Sequence, residues 1–472
     1  MIRIGGALTI GVVLVWTRLV GLDASLWNDE AFTIVHYIDG GPGEILFGDY
    51  QTNNHLLFNL LAWGTTSTFG DSEAAYRIWS VLPAIASVGV VCGWLWRRGR
   101  PLLGLGVAAI ATASPYHWDL SQQARGYGLC FLFSSLMLVA ADSATRGWGR
   151  RGVAAVFAAG AAGIATLPVF VLAFLGQVAA LFTRPGLRRS LMVGLGVVAA
   201  VSIAIYAPLS GGVQESAALG SGNGVPWHER VLAPLRVARP SLDLLVGRHV
   251  EAGALVVGSL ALAGAWSVWR RDDRALALNL LAPPVAVGLL MTILQLHVED
   301  RFVAFLFFHV AVLVALGIAA GASLAGRAVR DPRAPRAVAL GLALLAAVAL
   351  VRLAREHQRS LAKPREAFKE AGAAVHASGV RRVVTNSSRP VGLQQYLGRR
   401  GFTVLEHDAL ARLFCTTRAP LAFVYHPFRS PQDPRPAEVD FACLIERGAT
   451  RLRFPQRERG GFMEVWILTP TA

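Results

Sequence analysis

The chain has 472 residues; 54% are hydrophobic, only 16% are charged, and the net charge is +15. Soluble domains carry about a quarter charged residues, so this composition excludes an ordinary soluble protein, and apolar runs that are continuous rather than alternating favour lipid-embedded helices over a β-barrel. The basic excess could serve nucleic acid, but many of the arginines stand in short loops between apolar runs, the topology signal of a membrane protein, and nucleic acid is set aside as a partner.

In chain order, the first apolar run, 5–22, lacks a small-residue cleavage site and reads as a retained span. "SLWNDEAFT", residues 25–33, follows at once and puts Asp29 beside Glu30 where the chain leaves the bilayer. The pair is either a solvated interfacial pair capping the next helix, or a general base or metal site facing a cavity. "YQTNNHLLFNLL", 50–61, leads into an apolar helical stretch. Asn54 caps that helix, or Asn53, Asn54 and His55 bind sugar or phosphate oxygens. In "FGDSEAAYR", 69–77, Asp71 and Ser72 read as N-cap residues of the second span, 74–96. Spans at 102–117 and 124–142 enclose "SPYHWDLSQQARGYGL", 114–129, which crowds Tyr116, His117, Asp119, Gln122, Gln123, Arg125 and Tyr127 into one turn. Arg125 there suits an anion, because guanidinium matches phosphate oxygens bidentately; an ion pair with Asp29, Glu30 or Asp119 is the alternative.

Further spans are expected at 152–166, 168–183, 190–208, 251–269, 275–295, 302–325 and 337–353, eleven in all. "LHVEDRFVAFLFFHV", 296–310, sets His297, Glu299, Asp300 and Arg301 at one boundary. Arg301 binds a lipid phosphate or snorkels. The tail, 355–472, changes character. "REAFKEAGAAVHASG" reads as an amphipathic helix, and "VRRVVTNSS", "GFTVLEHD", "LAFVYHP", "ATRLRF" and "FMEVWIL" read as strands of a small α/β domain. Cys92 and Cys130 lie in apolar segments; Cys415 and Cys443 lie in the tail and could pair outside the cell. No cysteine spacing suits a metal.

Loop charges set the sidedness. Arginines crowd 97–100, 146–151, 184–189, 270–274 and 327–336, whereas the short alternate loops carry far fewer, Arg125 in one and Arg301 in another. The positive-inside rule then puts the N-terminus in the cytoplasm, and the loops 23–73 and 209–250 and the tail outside. The predicted architecture is a polytopic α-helical domain, 1–354, and an extracytoplasmic α/β domain, 355–472, in an inner or plasma membrane. All four acid, base and cation clusters then share the outer face. One outer-leaflet site explains this: carboxylates to take a proton and arginines to hold a phosphate, suited to group transfer from a phospholipid-like donor to a hydroxyl.

"LWNDEAF", "NNHLLFNLL", "FGDSEAAYRIWSVL" and "SQQARGYGL" resemble the glycosyltransferase family 39 type of polyprenyl-phosphate-sugar transferases. These belong to the GT-C membrane superfamily, with the protein O-mannosyltransferases and the lipid A aminoarabinose transferases. The resemblance covers about 1–355 and implies the GT-C fold and an inverting transfer at the outer face. It implies Asp29 as base with Glu30 orienting acceptor or base. It implies Arg125 and Arg301 as ligands of the donor phosphate. Asn54, His55, His117, Gln123, Tyr127 and Glu299 are expected to bind donor or acceptor. The implied partners are a polyprenyl-phosphate sugar, an acceptor glycan, lipid or protein, and membrane lipids. No cofactor is obligatory, although two adjacent carboxylates could hold a divalent metal. Leu56 and Leu57 replace prolines common after the family's histidine, and "IATLPVFVL" stands where a Tyr-His pair is common. The rival readings are a transporter or flippase of lipid-linked sugars, with polar residues spread through the spans, and a non-catalytic envelope assembly subunit.

Overall fold

A computed structural model describes residues 2–212, 228, 250–271, 273–296, 300–328, 367–385, 391–397, 402–404, 413, 420–425, 442–455 and 462–468. The chain divides into two compact units: residues 1–22 with 41–355, and residues 23–40 with 356–472.

The first unit is a helix bundle. Its helices are α1 (Ile2–Leu19), α3 (Gly41–Phe47), α4 (Leu56–Phe69), α5 (Glu73–Arg97), α6 (Pro101–Ala113), α7 (Pro115–Ser121), α8 (Tyr127–Ser143), α9 (Gly149–Thr166), α10 (Val171–Phe182), α11 (Arg188–Tyr206), α12 (Val250–Trp269), α13 (Arg274–Ile293) and α14 (Phe307–Ala328); α2 belongs to the second unit. Among the described residues, apolar helices stand at the first ten predicted spans, and the eleventh, 337–353, lies outside them. Five helical stretches are long and apolar enough to cross a membrane, the one at Tyr127–Thr166 comprising both α8 and α9, and four shorter apolar helices accompany them. The protein is a multi-pass membrane protein. Its core is built from Val, Leu, Ala and Phe on facing helices, with Phe131, Phe170, Phe174, Phe305 and Phe308 fully buried. Lipid supplies no hydrophobic drive between helices, so close packing carries their association. At the α12–α14 crossing, a Cβ on Gly264 or Gly317 would run into the carbonyl of Leu313 or Leu260 on the facing helix.

Two span boundaries differ from the sequence expectation. The third span stops at Ala113 instead of 117. Ser114 precedes Pro115 and takes an extended conformation (φ −82°, ψ 116°), as a residue before proline must. Its hydroxyl then accepts from His117 N–H at 3.2 Å and starts the separate helix α7. The tenth span opens as a 3-10 helix over Asp300–Leu306 before α14 begins.

One end of the bundle is tied by charge. Arg98, at the end of α5, pairs with both Asp142 of α8 and Asp273 before α13. Arg146 reaches Asp273 at 2.7 Å, and Trp94 Nε1 donates to Asp142 at 2.9 Å. Three of the arginine-rich loops assigned to one side of the membrane therefore meet at one end.

In the second unit, β1 (Val383–Thr385), β2 (Phe402–Val404), β3 (Leu421–Tyr425), β4 (Thr450–Pro455) and β5 (Phe462–Leu468) form one sheet in the order β2-β1-β3-β5-β4. The first three strands are parallel; β5 runs antiparallel to β3 and to β4. All five coincide with predicted strands. Side chains alternate between two cores: Val383, Ala422, Val424, Met463 and Val465 pack under α15 (Phe368–Ala377) and α16 (Val391–Leu397), while Val384, Phe423 and Trp466 face the other side with Leu444 of α17 (Ala442–Glu446). Segment 23–40, predicted as part of an outer loop, carries α2 (Asn28–Thr33) and a π-turn over Ile34–Ile38. Leu26, Ala31, Ile34, Tyr37 and Ile38 are buried. The expected pairing of Cys415 with Cys443 and the expected role of Glu299 fall outside the described residues, as does most of the second outer loop.

Candidate functional site

The candidate site of the bundle is assembled on the loop between α7 and α8. Ser80 of α5 donates its hydroxyl to the carbonyl of Arg125. The N–H of Arg125 donates to Gln123 O at 2.7 Å, which turns the chain sharply. Two glycines follow this turn, where a side chain would collide with neighbouring helices. A Cβ on Gly126 would stand 2.5 Å from Thr166 Cγ2 and 3.0 Å from His55 Nδ1, and one on Gly128 would strike the backbone of Ser80. The turn is thereby pressed against α5, α9 and the start of α4.

Arg125 is 1% exposed. Its Nη2 donates to Asn53 Oδ1 at 2.7 Å and reaches His55 Nε2 at 3.2 Å. Its guanidinium lies 5.2 Å from the Tyr127 ring centre, and the His55 and Tyr127 rings meet edge to face at 5.3 Å. A guanidinium only donates, so His55 Nε2 is the acceptor and the proton of the neutral ring sits on Nδ1, which is buried without a hydrogen-bond partner. Burial first, then the charges of Arg125 and Arg301, holds His55 well below the ordinary histidine value. Two arginines from loops far apart in sequence thus act on one imidazole. Arg301 is partly buried beside the Phe302 ring, 5.8 Å from its centre.

Other predicted site residues make the following contacts within the protein. Asn54 does not cap α4: the cap position is one residue later, at His55, and Asn54 is buried. Its Nδ2 donates to Ile45 O at 3.0 Å and its Oδ1 accepts from Asn59 at 2.9 Å, which fixes the loop that presents Asn53 and His55. Gln123 donates to Asp119 at 2.9 Å. His117 is fully buried and stacks on Phe131 at 4.6 Å. Ser72 caps α5 as expected, accepting from Ala75 N–H at 3.1 Å, and Asp71 accepts from Tyr76.

Sequence reasoning missed two residues here, Arg18 and Arg77, and gave Gln122 no role. Arg18, fully buried near the end of α1, donates to Ala111 O at 2.9 Å and to His117 Nδ1 at 3.1 Å. Arg77 donates to Leu22 O at 2.8 Å, and Gln122 Nε2 reaches the carbonyls of Thr17, Arg18 and Val20. Together they satisfy the open carbonyls at the end of α1 and lock it to the Arg125 turn. A charge inside an apolar run, as at Arg18, was the available signal.

In the second unit, Asp29 is half-buried and Glu30 buried, both in the first turn of α2. Trp27 N–H donates to Glu30 Oε2 at 3.1 Å, so Glu30 closes the helix start, and Thr33 Oγ1 donates to the Asp29 carbonyl at 2.9 Å. Among the described residues, no three His, Cys, Asp or Glu side chains gather as a metal site. Asp29 and Glu30 alone would be an incomplete donor set, with one Glu30 oxygen already engaged.

No family model and no curated protein matches the chain. Solved structures do. ArnT from Cupriavidus metallidurans in the apo state matches with a TM-score of 0.60 at 14% identity, over 99% of each chain. ArnT bound to undecaprenyl phosphate matches at 0.52, with 14% identity over 99% of this chain and 98% of that one. The Archaeoglobus fulgidus oligosaccharyltransferase, in complex with Zn and sulfate, matches at 0.54 with 12% identity, over 97% of this chain and 72% of that one. The chain has the GT-C fold. That is the fold expected from the acidic, histidine and arginine motifs of its first 130 residues.

Proposed function

We propose that the protein is an integral-membrane glycosyltransferase that moves a sugar from a polyprenyl-phosphate carrier to a hydroxyl acceptor at the outer face of the membrane. The observation that carries this reading is the buried Arg125 guanidinium held by Asn53 and His55, with the charge of Arg301 also felt at that histidine, in a fold shared with a protein solved with undecaprenyl phosphate bound. Two guanidinium groups suit a phosphate monoester leaving group.

The reaction is a single inverting displacement. The acceptor oxygen attacks the anomeric carbon, the bond from that carbon to the phosphate oxygen breaks, and the acceptor proton passes to Asp29. The polyprenyl phosphate leaves with its growing charge held by Arg125 and Arg301, and removing such a donor typically costs on the order of 10²–10³ in rate. His55 and Asn53 hold Arg125 in place without competing for its charge. Glu30 supports the start of α2 and orients Asp29. This step needs no obligatory metal, and a divalent cation on the Asp29–Glu30 pair stays compatible with it. The N-terminus is cytoplasmic and the α/β unit extracytoplasmic in this reading, because the arginine-rich loops share the other side.

The test is mass spectrometry of glycans and glycolipids from cells with the wild-type gene, without it, and with Asp29→Asn. We expect one hexose- or pentose-containing product to vanish in the deletion and to stay absent with Asp29→Asn, although that variant inserts at wild-type levels. Restoration of the product by Asp29→Asn would remove Asp29 from the mechanism. Unchanged glycans in the deletion would favour an assembly subunit.

A further inference from the structure

Segment 23–40 shares its compact unit with residues 356–472, and three hydrogen bonds fasten it there. Leu26 N–H donates to Tyr396 Oη at 2.7 Å. Lys369 N–H donates to Ser25 Oγ at 3.2 Å, and Lys369 Nζ donates to Asp23 O at 2.8 Å. All three fall within the few residues that precede Asp29. Ser25 and Leu26 are 4% and 1% exposed, so the Leu26 amide has little access to water as a substitute partner.

Tyr396 is itself held from behind. A Cβ on Gly372 of α15 would stand 2.8 Å from Tyr396 Cβ, so only glycine lets the two helices approach this closely. His376 Nε2 lies 3.1 Å from the Tyr396 carbonyl, which it can only meet as a donor. The chain of contacts therefore runs from α15 to Tyr396, from Tyr396 to Leu26, and from Leu26 into α2. Helix α2 has six residues, too few to be stable without external anchoring. Its position comes from what holds its approach, and Glu30 closing onto Trp27 N–H makes that approach rigid.

A general base works only within hydrogen-bond reach of the proton it takes, and a misplacement of about 1 Å can cost on the order of 10² in rate. Resting on the reading of Asp29 as base, we infer that Tyr396 and Lys369 are positioning residues for it, and that the C-terminal α/β unit is the scaffold of the proton acceptor. Its sheet carries the helices that set where α2 begins.

The experiment is hydrogen exchange by mass spectrometry on the full chain in lipid nanodiscs, comparing wild type with Tyr396→Phe and Lys369→Gln. In Tyr396→Phe, exchange at residues 24–31 should rise about tenfold, the change that one lost hydrogen bond implies, while 53–59 and 125–131 keep wild-type rates. Lys369→Gln, which removes one exposed bond, should show the same pattern at smaller size. Binding of undecaprenyl phosphate should stay within about twofold of wild type, because Arg125 and Arg301 are untouched. Release of undecaprenyl phosphate from a native lipid-linked donor extract should show a lower kcat at unchanged KM. Unchanged exchange at 24–31, or an increase spread equally over both units, would overturn the inference. Retained turnover in Asp29→Asn would sink the base reading alone and leave the exchange result to decide the scaffold.

Discussion

Arg125 and His55 show how a neutral partner can set a cation. A carboxylate at 3.2 Å would pair with the guanidinium and compete with any phosphate; an imidazole that accepts one bond from it orients it and leaves its charge. The pH consequence follows from the lowered His55 value. Above the unfolded value of 6.5 the ring is neutral in both states and stability is full. As pH falls below 6.5 the unfolded chain takes up a proton that the folded one refuses, so stability declines until the folded value is reached. Thermal unfolding in detergent should therefore fall more steeply between pH 7 and 5 for wild type than for His55→Gln, which can still accept from Arg125. Equal slopes would mean that His55 does not titrate this way. At this scale the sequence was readable where the chemistry is local: Ser72 caps α5 because a cap needs only its own next three residues. For Asn54 only the cap alternative fails, because capping depends on where the helix starts, and His55 holds the cap position.

The elements were legible to a different degree. Continuous apolar runs mark helices in lipid whatever their neighbours do, so ten spans fall at their predicted places. The break at Ser114–Pro115 was written in the sequence as a residue before proline, but a window of hydropathy averages it away. The tie between Arg98, Asp142, Asp273 and Arg146 could not be read, since it joins three loops. The Arg98 and Asp142 side chains are 9% and 4% exposed, and without Asp142 the two arginines share Asp273 alone while Trp94 Nε1 loses its acceptor. Asp142→Ala should destabilise the bundle by about 1–3 kcal/mol, seen as a lower unfolding temperature in detergent. A change within experimental error would show that solvent or lipid replaces the carboxylate. Gln177, Asn279 and His309 form a buried polar chain across α10, α13 and α14, with Gln177 to Asn279 at 3.1 Å. A transporter would use such a chain as a path, and full glycan synthesis by Gln177→Leu would rule that use out.

At the scale of the whole molecule, the predicted site residues divide between two compact units, Arg125, Arg301 and His55 in one and Asp29 and Glu30 in the other. Sequence order hides this, because segment 23–40 is embedded among bundle residues and joins the tail only through the folded structure. The motifs nevertheless pointed to the right fold: the spacing of acid, histidine and arginine clusters carried the resemblance, and solved structures at 12–14% identity share the architecture over nearly the whole chain. The central claim is that Arg125, held by His55, and Arg301 bind the phosphate of a polyprenyl carrier. Equilibrium binding of undecaprenyl phosphate to the purified full chain tests it most directly. Loss of a charge-assisted hydrogen bond costs roughly 1.5–3 kcal/mol, so Arg125→Ala and Arg301→Ala should each weaken binding by about 10- to 100-fold. Wild-type affinity in both variants would contradict the account.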